Sequence, residues 1–329
     1  MPDPDHTNPA RGPQRVVVLD DYQGVARRYG DWATLGDRVD LVVHEEHLAD
    51  VDALVAALAG APIVVAMRER TAFPRSLLER LEDLRLLVTT GPRNAAIDMA
   101  ACHDLGVTVC GTGGVVHSTS ELTWALILAC ARHIPTEVAN VRGGGWMTTV
   151  GADLHGRTLG LCGLGNIGAM VATVGRAFGM DLVAWSQNLT AERCAEVGAE
   201  LVSKEDLFRR ADVLSIHLVL SERTHHLVGP AELALMRPTS ILVNTSRGPI
   251  CDEDELARAC AEGRIAAAGL DAFGVEPLPA DHPFRTLPNV VATPHIGYVS
   301  ERVYGIFFRH IVEDIAGWLD GRPVRVVAA

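Results

Sequence analysis

Positive charge is scarce in this chain: 29 Lys and Arg stand against 41 Asp and Glu, a formal net charge of -12 over 329 residues. That balance leaves no general basic surface for nucleic acid or an anionic membrane, and allows only a local basic pocket for a small anion. A long apolar run is also missing. The most apolar helical stretch, Leu122 to Ala131, is bracketed by Glu121 and Arg132. It falls short of the ~20 apolar residues that a bilayer span needs and reads as a buried helix. Met1 to Ala10 is polar and proline-rich, without the basic start and apolar core of a secretory signal; residues 1–14 are expected to form a flexible tail. The seven cysteines, Cys102, Cys110, Cys130, Cys162, Cys194, Cys251 and Cys260, are odd in number and scattered among apolar neighbours. They argue against a disulfide framework and for reduced core thiols in a cytoplasmic protein. No Cys or His spacing resembles a metal site, so no metal is expected. Short-period repeats are absent too.

What is present is a 48% hydrophobic composition and a length that, at roughly 150 residues per domain, suggests two domains. From Arg15 onward, short β-branched runs alternate with helical stretches. Val16–Leu19, Val39–Val43, Ile63–Ala66, Leu84–Val88 and Val107–Val109 are the first strand candidates. After two helical stretches, about 118 to 132 and 135 to 143, the pattern restarts. Its runs are Thr158–Cys162, Asp181–Trp185, Val213–Ile216, Ile241–Asn244, Ala266–Leu270 and Asn289–Ala292. Strands without polar alternation, separated by helices, predict parallel sheets covered on both faces, hence an α/β chain of two doubly wound units. The last helical pattern, about 299 to 319, stops at Gly321-Arg322-Pro323.

Gly163-Leu164-Gly165-Asn166-Ile167-Gly168 follows one of these strands directly and opens the helix expected over Ala169 to Phe178. In that context the first glycine permits a tight turn, the second lets a pyrophosphate approach the backbone, and the third lets helix and strand pack closely. Helix N–H groups then face the phosphates, and Asn166 and Ile167 between the glycines are expected to bind the cofactor as well. Preference for NAD usually comes with an acidic residue roughly 20 residues on, which holds the ribose 2′-hydroxyl. Here Ser186-Gln187-Asn188 stands in its place. Without a carboxylate to repel a 2′-phosphate, both NAD(H) and NADP(H) are expected, NADP(H) slightly preferred; Arg193 would have to reach back from the next helix to pair with that phosphate.

Three further stretches put polar residues where a strand should end: Asn244-Thr245-Ser246-Arg247-Gly248, Asp271-Ala272-Phe273-Gly274-Val275-Glu276-Pro277 and Thr293-Pro294-His295-Ile296-Gly297. Ligands bind outside the carboxyl ends of parallel strands. Together with the glycine loop, these motifs in this order make the chain resemble the D-isomer-specific 2-hydroxyacid dehydrogenase family, which includes glyoxylate/hydroxypyruvate reductases and phosphoglycerate dehydrogenases. The resemblance runs from about Arg15 over nearly the whole chain. It implies a flavodoxin-like substrate domain at 15–115 plus 300–329 and a Rossmann NAD(P)-binding domain at 116–299. It also implies a homodimer joined through the cofactor domains, with the 118 to 143 helices as candidates. The family's catalytic three match Arg247, Glu276 and His295. Asp271 matches a cofactor contact, and His217, Leu218, Thr224, Thr245, Ser246 and Gly297 fall on the cofactor side.

The residue types suit the chemistry. Reducing a keto acid needs a proton on the carbonyl oxygen as hydride reaches carbon, and histidine exchanges protons near working pH; His295 is that acid. A carboxylate bonded to its ring, Glu276, fixes the tautomer and steadies the charged donor. The planar fork of Arg247 suits a substrate carboxylate. Singly, each has an ordinary structural explanation, as loop histidine, turn carboxylate or surface ion pair. Arg68, Arg70, Gly91 and Arg93 follow strands of the first unit where the family offers groups to the substrate carboxylate; Pro92 and Arg93 depart from its glycine-rich stretch. Trp146 is expected to cap a cleft or to pack between domains. Relatives of this fold also act as NAD(H)-sensing corepressors. Against that reading, only a short tail precedes residue 15 and nothing follows the terminal helix. The lack of a following regulatory domain likewise makes a short phosphoglycerate dehydrogenase the lesser enzyme alternative. Formate dehydrogenase is disfavoured, because that relative carries an amide where Glu276 stands.

Overall fold

The computed structural model describes residues 12–328; residues 1–11 of the expected tail lie outside the described residues, and Gln14 already belongs to the first strand. The chain divides into two compact units, the described part of Met1–Val115 with Ser300–Ala329, and Val116–Val299.

In the first unit β1 (Gln14–Val18), β2 (Val39–Val43), β3 (Ile63–Ala66), β4 (Leu86–Thr89) and β5 (Thr108–Gly111) form a parallel sheet in the order β2-β1-β3-β4-β5. That order is flavodoxin-like. Every residue of β3 and β4 is buried, which is why neither strand alternates in sequence. The helix Glu301–Leu319 belongs to this unit. Ser300 caps it by accepting from the Val303 N–H, and its buried stripe includes Phe307, Phe308, Ile311 and Ile315.

The second unit holds β6 (Thr158–Cys162), β7 (Asp181–Trp185), β8 (Glu200–Leu201), β9 (Val213–Ile216), β10 (Ile241–Asn244), β11 (Ala267–Leu270) and β12 (Val290–Ala292). Their order is β12-β11-β10-β9-β6-β7-β8. Counted from β6, the first six strands give the Rossmann order 3-2-1-4-5-6, and the chain reverses direction between β6 and β9. One face packs Trp124, Leu126 and Ile127 of the helix His117–Ala131 against Leu161 and Val243. The other carries Phe208, Leu214, Leu242, Leu256 and Phe273.

Two details differ from the sequence reading. The glycine-loop helix is Asn166–Ala177, three residues earlier than expected, so Asn166 and Ile167 are in its first turn. The strand β8 was not foreseen, because two exposed residues carry no hydrophobic pattern. All seven cysteines are buried and free, and burial pushes the thiols of Cys110, Cys130, Cys162 and Cys260 up to about 12, which leaves them unreactive. Among the described residues no helix is long and apolar enough to cross a membrane.

Candidate active site

Strand register lines up the ends of the second sheet. Trp185 pairs with Cys162, Cys162 with Ile216, Ile216 with Asn244, Asn244 with Leu270 and Leu270 with Ala292. The residues one step further, Ser186, Gly163, His217, Thr245, Asp271 and Thr293, therefore form a single row along the carboxyl edge. Every motif singled out in this unit passes through that row. Arg247 and His295 stand three residues beyond the ends of β10 and β12, and Glu276 six beyond β11.

The three glycines meet three different demands. Gly163 has φ +102°, and a Cβ there would stand 2.7 Å from the His217 carbonyl oxygen. One on Gly168 would come within 2.3 Å of the Gly163 carbonyl oxygen, whereas around Gly165 nothing lies within 4 Å. The loop is thus tight at both ends and open in the middle. Gly165 is also the N-cap of Asn166–Ala177 and offers no side-chain cap bond, so the first N–H groups of the helix are left for an anion. These features fit a dinucleotide pyrophosphate. Arg193 does reach back: its Nε donates to the Leu164 carbonyl at 3.1 Å, and it pairs with Glu196.

The candidate proton donor is built on an unusual backbone. His295 has φ +52°, and its N–H donates to the Thr293 carbonyl at 2.9 Å. Asp271 holds this turn. Its Oδ1 accepts from the Thr293 hydroxyl at 2.6 Å and the Ile296 N–H at 2.8 Å, and its Oδ2 accepts from the Gly297 N–H at 2.8 Å. Burial pushes the Asp271 carboxyl up, and these donors and the nearby His295 pull it back. His295 Nδ1 lies 2.7 Å from Glu276 Oε2, and Glu276 Oε1 accepts from the Phe273 N–H at 2.9 Å. Among the described residues no hydrogen bond reaches the ring's other nitrogen, Nε2.

Arg247 sits on a turn tied by Asn244, whose side-chain nitrogen donates to the Arg247 carbonyl at 2.9 Å while its oxygen accepts from the Ser246 N–H at 3.0 Å. Arg247 Nη1 donates to the Ser246 carbonyl at 2.8 Å. Sequence reasoning quoted Asn244 and Thr293 within motifs but gave them no task, and passed over Thr119, whose hydroxyl donates to the Gly297 carbonyl at 3.1 Å. An Asn at a strand end before a turn is the signal that could have found the first.

Several expected cofactor-side groups have protein partners of their own. The Thr245 hydroxyl pairs with that of Thr123 at 2.8 Å, and the Ser246 hydroxyl donates to the Ile216 carbonyl at 3.0 Å. Thr224 stitches the turn at 219–224, donating to the Val219 carbonyl at 2.7 Å; Leu218 packs on the core. His217 Nε2 meets Ser215 Oγ at 2.9 Å, and its Nδ1 is buried with no partner among the described residues. Burial lowers this imidazole to about 4, so it stays neutral. Ser186 is half-buried and Gln187 exposed.

In the first unit, Arg68, Gly91 and Asn94 are drawn together. The Arg68 N–H donates to the Thr90 hydroxyl at 2.8 Å, Asn94 Nδ2 to the Arg68 carbonyl at 2.6 Å, and the Gly91 N–H to the Thr112 hydroxyl at 2.7 Å. A Cβ on Gly91, where φ is +92°, would fall 2.0 Å from Arg68 Nη1. Arg70 turns to the β1 loop instead, with Nη1 donating to the Asp20 carbonyl at 2.6 Å and the guanidinium 4.4 Å from the Tyr22 ring centre. Arg93 is exposed. Trp146 is 70% exposed.

Residues 124–297 match the family model for the NAD-binding domain of D-isomer specific 2-hydroxyacid dehydrogenases. The chain is 44% identical to a glyoxylate reductase from Aeropyrum pernix over 229 residues, 67% of this chain and 68% of that protein. It is 36% identical to a D-3-phosphoglycerate dehydrogenase from Methanocaldococcus jannaschii over 78% of this chain, which spans half the length of that relative. The solved structure of a phosphoglycerate oxidoreductase from Vibrio cholerae superposes with a TM-score of 0.89 at 34% identity, covering 94% of this chain and 99% of the other.

Proposed function

Because the chain belongs to the D-isomer specific 2-hydroxyacid dehydrogenase family, we propose that it interconverts a small 2-keto acid and its D-2-hydroxy acid with a nicotinamide dinucleotide. The observation that carries this reading is the His295–Glu276 pair, 2.7 Å apart, in the loops that leave the same strand-end row as the open glycine loop. The dinucleotide supplies or accepts the hydride. His295 gives a proton to the keto oxygen in reduction and takes it back in oxidation. Glu276, bonded at Nδ1, directs that proton to Nε2. Arg247 offers its guanidinium to the substrate carboxylate and to the charge that develops on the carbonyl oxygen.

Gly163, Gly165 and Gly168, with the first turn at Asn166 and Ile167, hold the pyrophosphate. Ser186 and Gln187 take the adenosine ribose. His217, Leu218 and Thr224 shape the adenosine side, and Thr245, Ser246, Asp271 and Gly297 the nicotinamide side. Arg68, Arg70, Arg93 and the Gly91 backbone are the substrate-side groups of the first unit. With no carboxylate at Ser186 and with Arg193 on the glycine loop, both cofactors serve and NADPH is slightly favoured. The exposed apolar residues Ile134, Val138 and Val141, followed by Trp146, Met147 and Val150, support a homodimer joined through this segment, and the buried free thiols suit a cytoplasmic setting.

The test is the loss of NADPH or NADH absorbance on adding glyoxylate, hydroxypyruvate or phenylpyruvate. Cofactor binding without oxidation by any of the three would refute the activity.

A further inference from the structure

Glu253 opens the helix Glu253–Ala261, which Asp252 caps by accepting from the Glu255 N–H. Acidic side chains in a first turn are favoured by the helix dipole, and Asp254 meets that preference from the surface. Glu253 does not turn to water. It is half-buried, and its Oε1 accepts from the Gly274 N–H at 2.9 Å. Gly274 lies two residues before Glu276, and Gly248 immediately follows Arg247. A Cβ on Gly248 would stand 2.4 Å from the Gly274 nitrogen and 2.5 Å from Glu253 Oε1; one on Gly274 would stand 3.0 Å from Glu253 Oε2. The carboxylate is therefore wedged where the loop bearing Arg247 crosses the loop bearing Glu276, and glycine on each side makes the room.

We propose that Glu253 is a positioning residue that locks these two loops together, so that Glu276 meets the His295 ring at a fixed angle while Arg247 stays in register with both. This rests on the reading of Arg247, Glu276 and His295 as the working groups. A carboxylate serving only its helix gains nothing from this place. Burial, with the like charge of Glu276 adding to it, raises its hold on a proton, against which the Gly274 hydrogen bond works. Reach, rather than charge, is the property the site demands. Glutamine keeps an acceptor oxygen at the same distance, while aspartate keeps the charge and the dipole contribution but is one methylene too short for the Gly274 N–H.

Glu253→Gln and Glu253→Asp separate the two. Three readouts are compared with wild type: kcat, the cofactor dissociation constant, and the His295 tautomer by ¹⁵N-histidine NMR, assigned with His295→Gln. Glu253→Gln should keep most of the turnover and a single Nδ1–H tautomer. Glu253→Asp should lose about 10- to 100-fold in kcat, the scale of a misplacement near 1 Å, with mixed tautomers and unchanged cofactor affinity. Wild-type tautomer and turnover in Glu253→Asp, or loss of both in Glu253→Gln, would overturn the proposal. A wild-type protein that reduces no keto acid refutes the activity alone; the tautomer comparison still decides the role of Glu253.

Discussion

Glu276 is pinned before it reaches His295: Oε1 is held at 2.9 Å by the Phe273 N–H, and Oε2 lies 2.7 Å from His295 Nδ1. The imidazole is constrained from its other side by the left-handed backbone at residue 295 and by Asp271, which binds the N–H groups of Ile296 and Gly297. Two neighbouring strand ends, β11 and β12, thus aim one ring. Such preorganisation matters in proton transfer because the donor must sit within hydrogen-bond reach of the reacting oxygen when hydride arrives.

His295→Ala removes the proposed proton donor and leaves the glycine loop untouched. The expected outcome is a fall in kcat of roughly 10²–10⁴, with NAD(P)H binding by fluorescence titration retained. Turnover equal to wild type would show that another group moves the proton.

The glycine loop makes a contrast between two alanines. Gly165→Ala adds a methyl into open space, since nothing lies within 4 Å. It should fold with an unchanged Tm, yet weaken cofactor binding about 10-fold or more by keeping the pyrophosphate off the helix N–H groups. Gly168→Ala would press a methyl to 2.3 Å from the Gly163 carbonyl oxygen. Overpacking of that kind costs about 1–3 kcal/mol, more than the helix propensity gained over glycine, so Tm should fall along with affinity. Calorimetry and cofactor titration on both variants check it; equal stability losses would contradict the open-centre geometry.

The proposed acceptance of both cofactors is tested at Arg193. Its guanidinium already lies along the Leu164 carbonyl, and a 2′-phosphate would add a charge-assisted partner that NADH lacks. Arg193→Ala should weaken both cofactors through the loop, but NADPH about 10-fold more than NADH. An unchanged ratio of kcat/KM values for the two, or a wild-type enzyme preferring NADH by about a hundredfold, would remove Arg193 from that role.

The legible part of this chain was what burial writes into sequence. β3, β4 and β10 are buried at every residue and read as unbroken apolar runs, and polar residues just past such runs marked the strand-end row. What stayed hidden depends on contacts between distant segments. Nothing in Asp271 announces that it binds the turn at 293–297, because that follows from β11 and β12 pairing as Leu270 with Ala292. Glu253 was masked by a sufficient local explanation, an acidic helix start. The strand β8 was invisible because its pairing with β7 leaves both residues exposed.

Asp314 ties pH to the stability of the first unit. It is fully buried in the helix Glu301–Leu319. Its Oδ1 accepts from Arg325 Nε at 2.9 Å, while Oδ2 has no partner among the described residues. Burial outweighs the Arg325 charge and pushes this carboxyl up to about 7, against ~3.9 for an unfolded chain. The folded state therefore binds the proton more tightly, so the stabilisation linked to it is complete below about pH 4 and is lost as pH rises through 7. Asp314→Asn imitates the protonated form at every pH. Near pH 4 its Tm should match that of wild type. Near pH 8 it should melt higher by several degrees, corresponding to a few kcal/mol of relieved charge burial. Other carboxylates titrate over the same range, so the informative quantity is the difference between the two proteins at each pH. A difference that shrinks or reverses from pH 4 to pH 8 would mean that the Arg325 ion pair, rather than desolvation, governs residue 314.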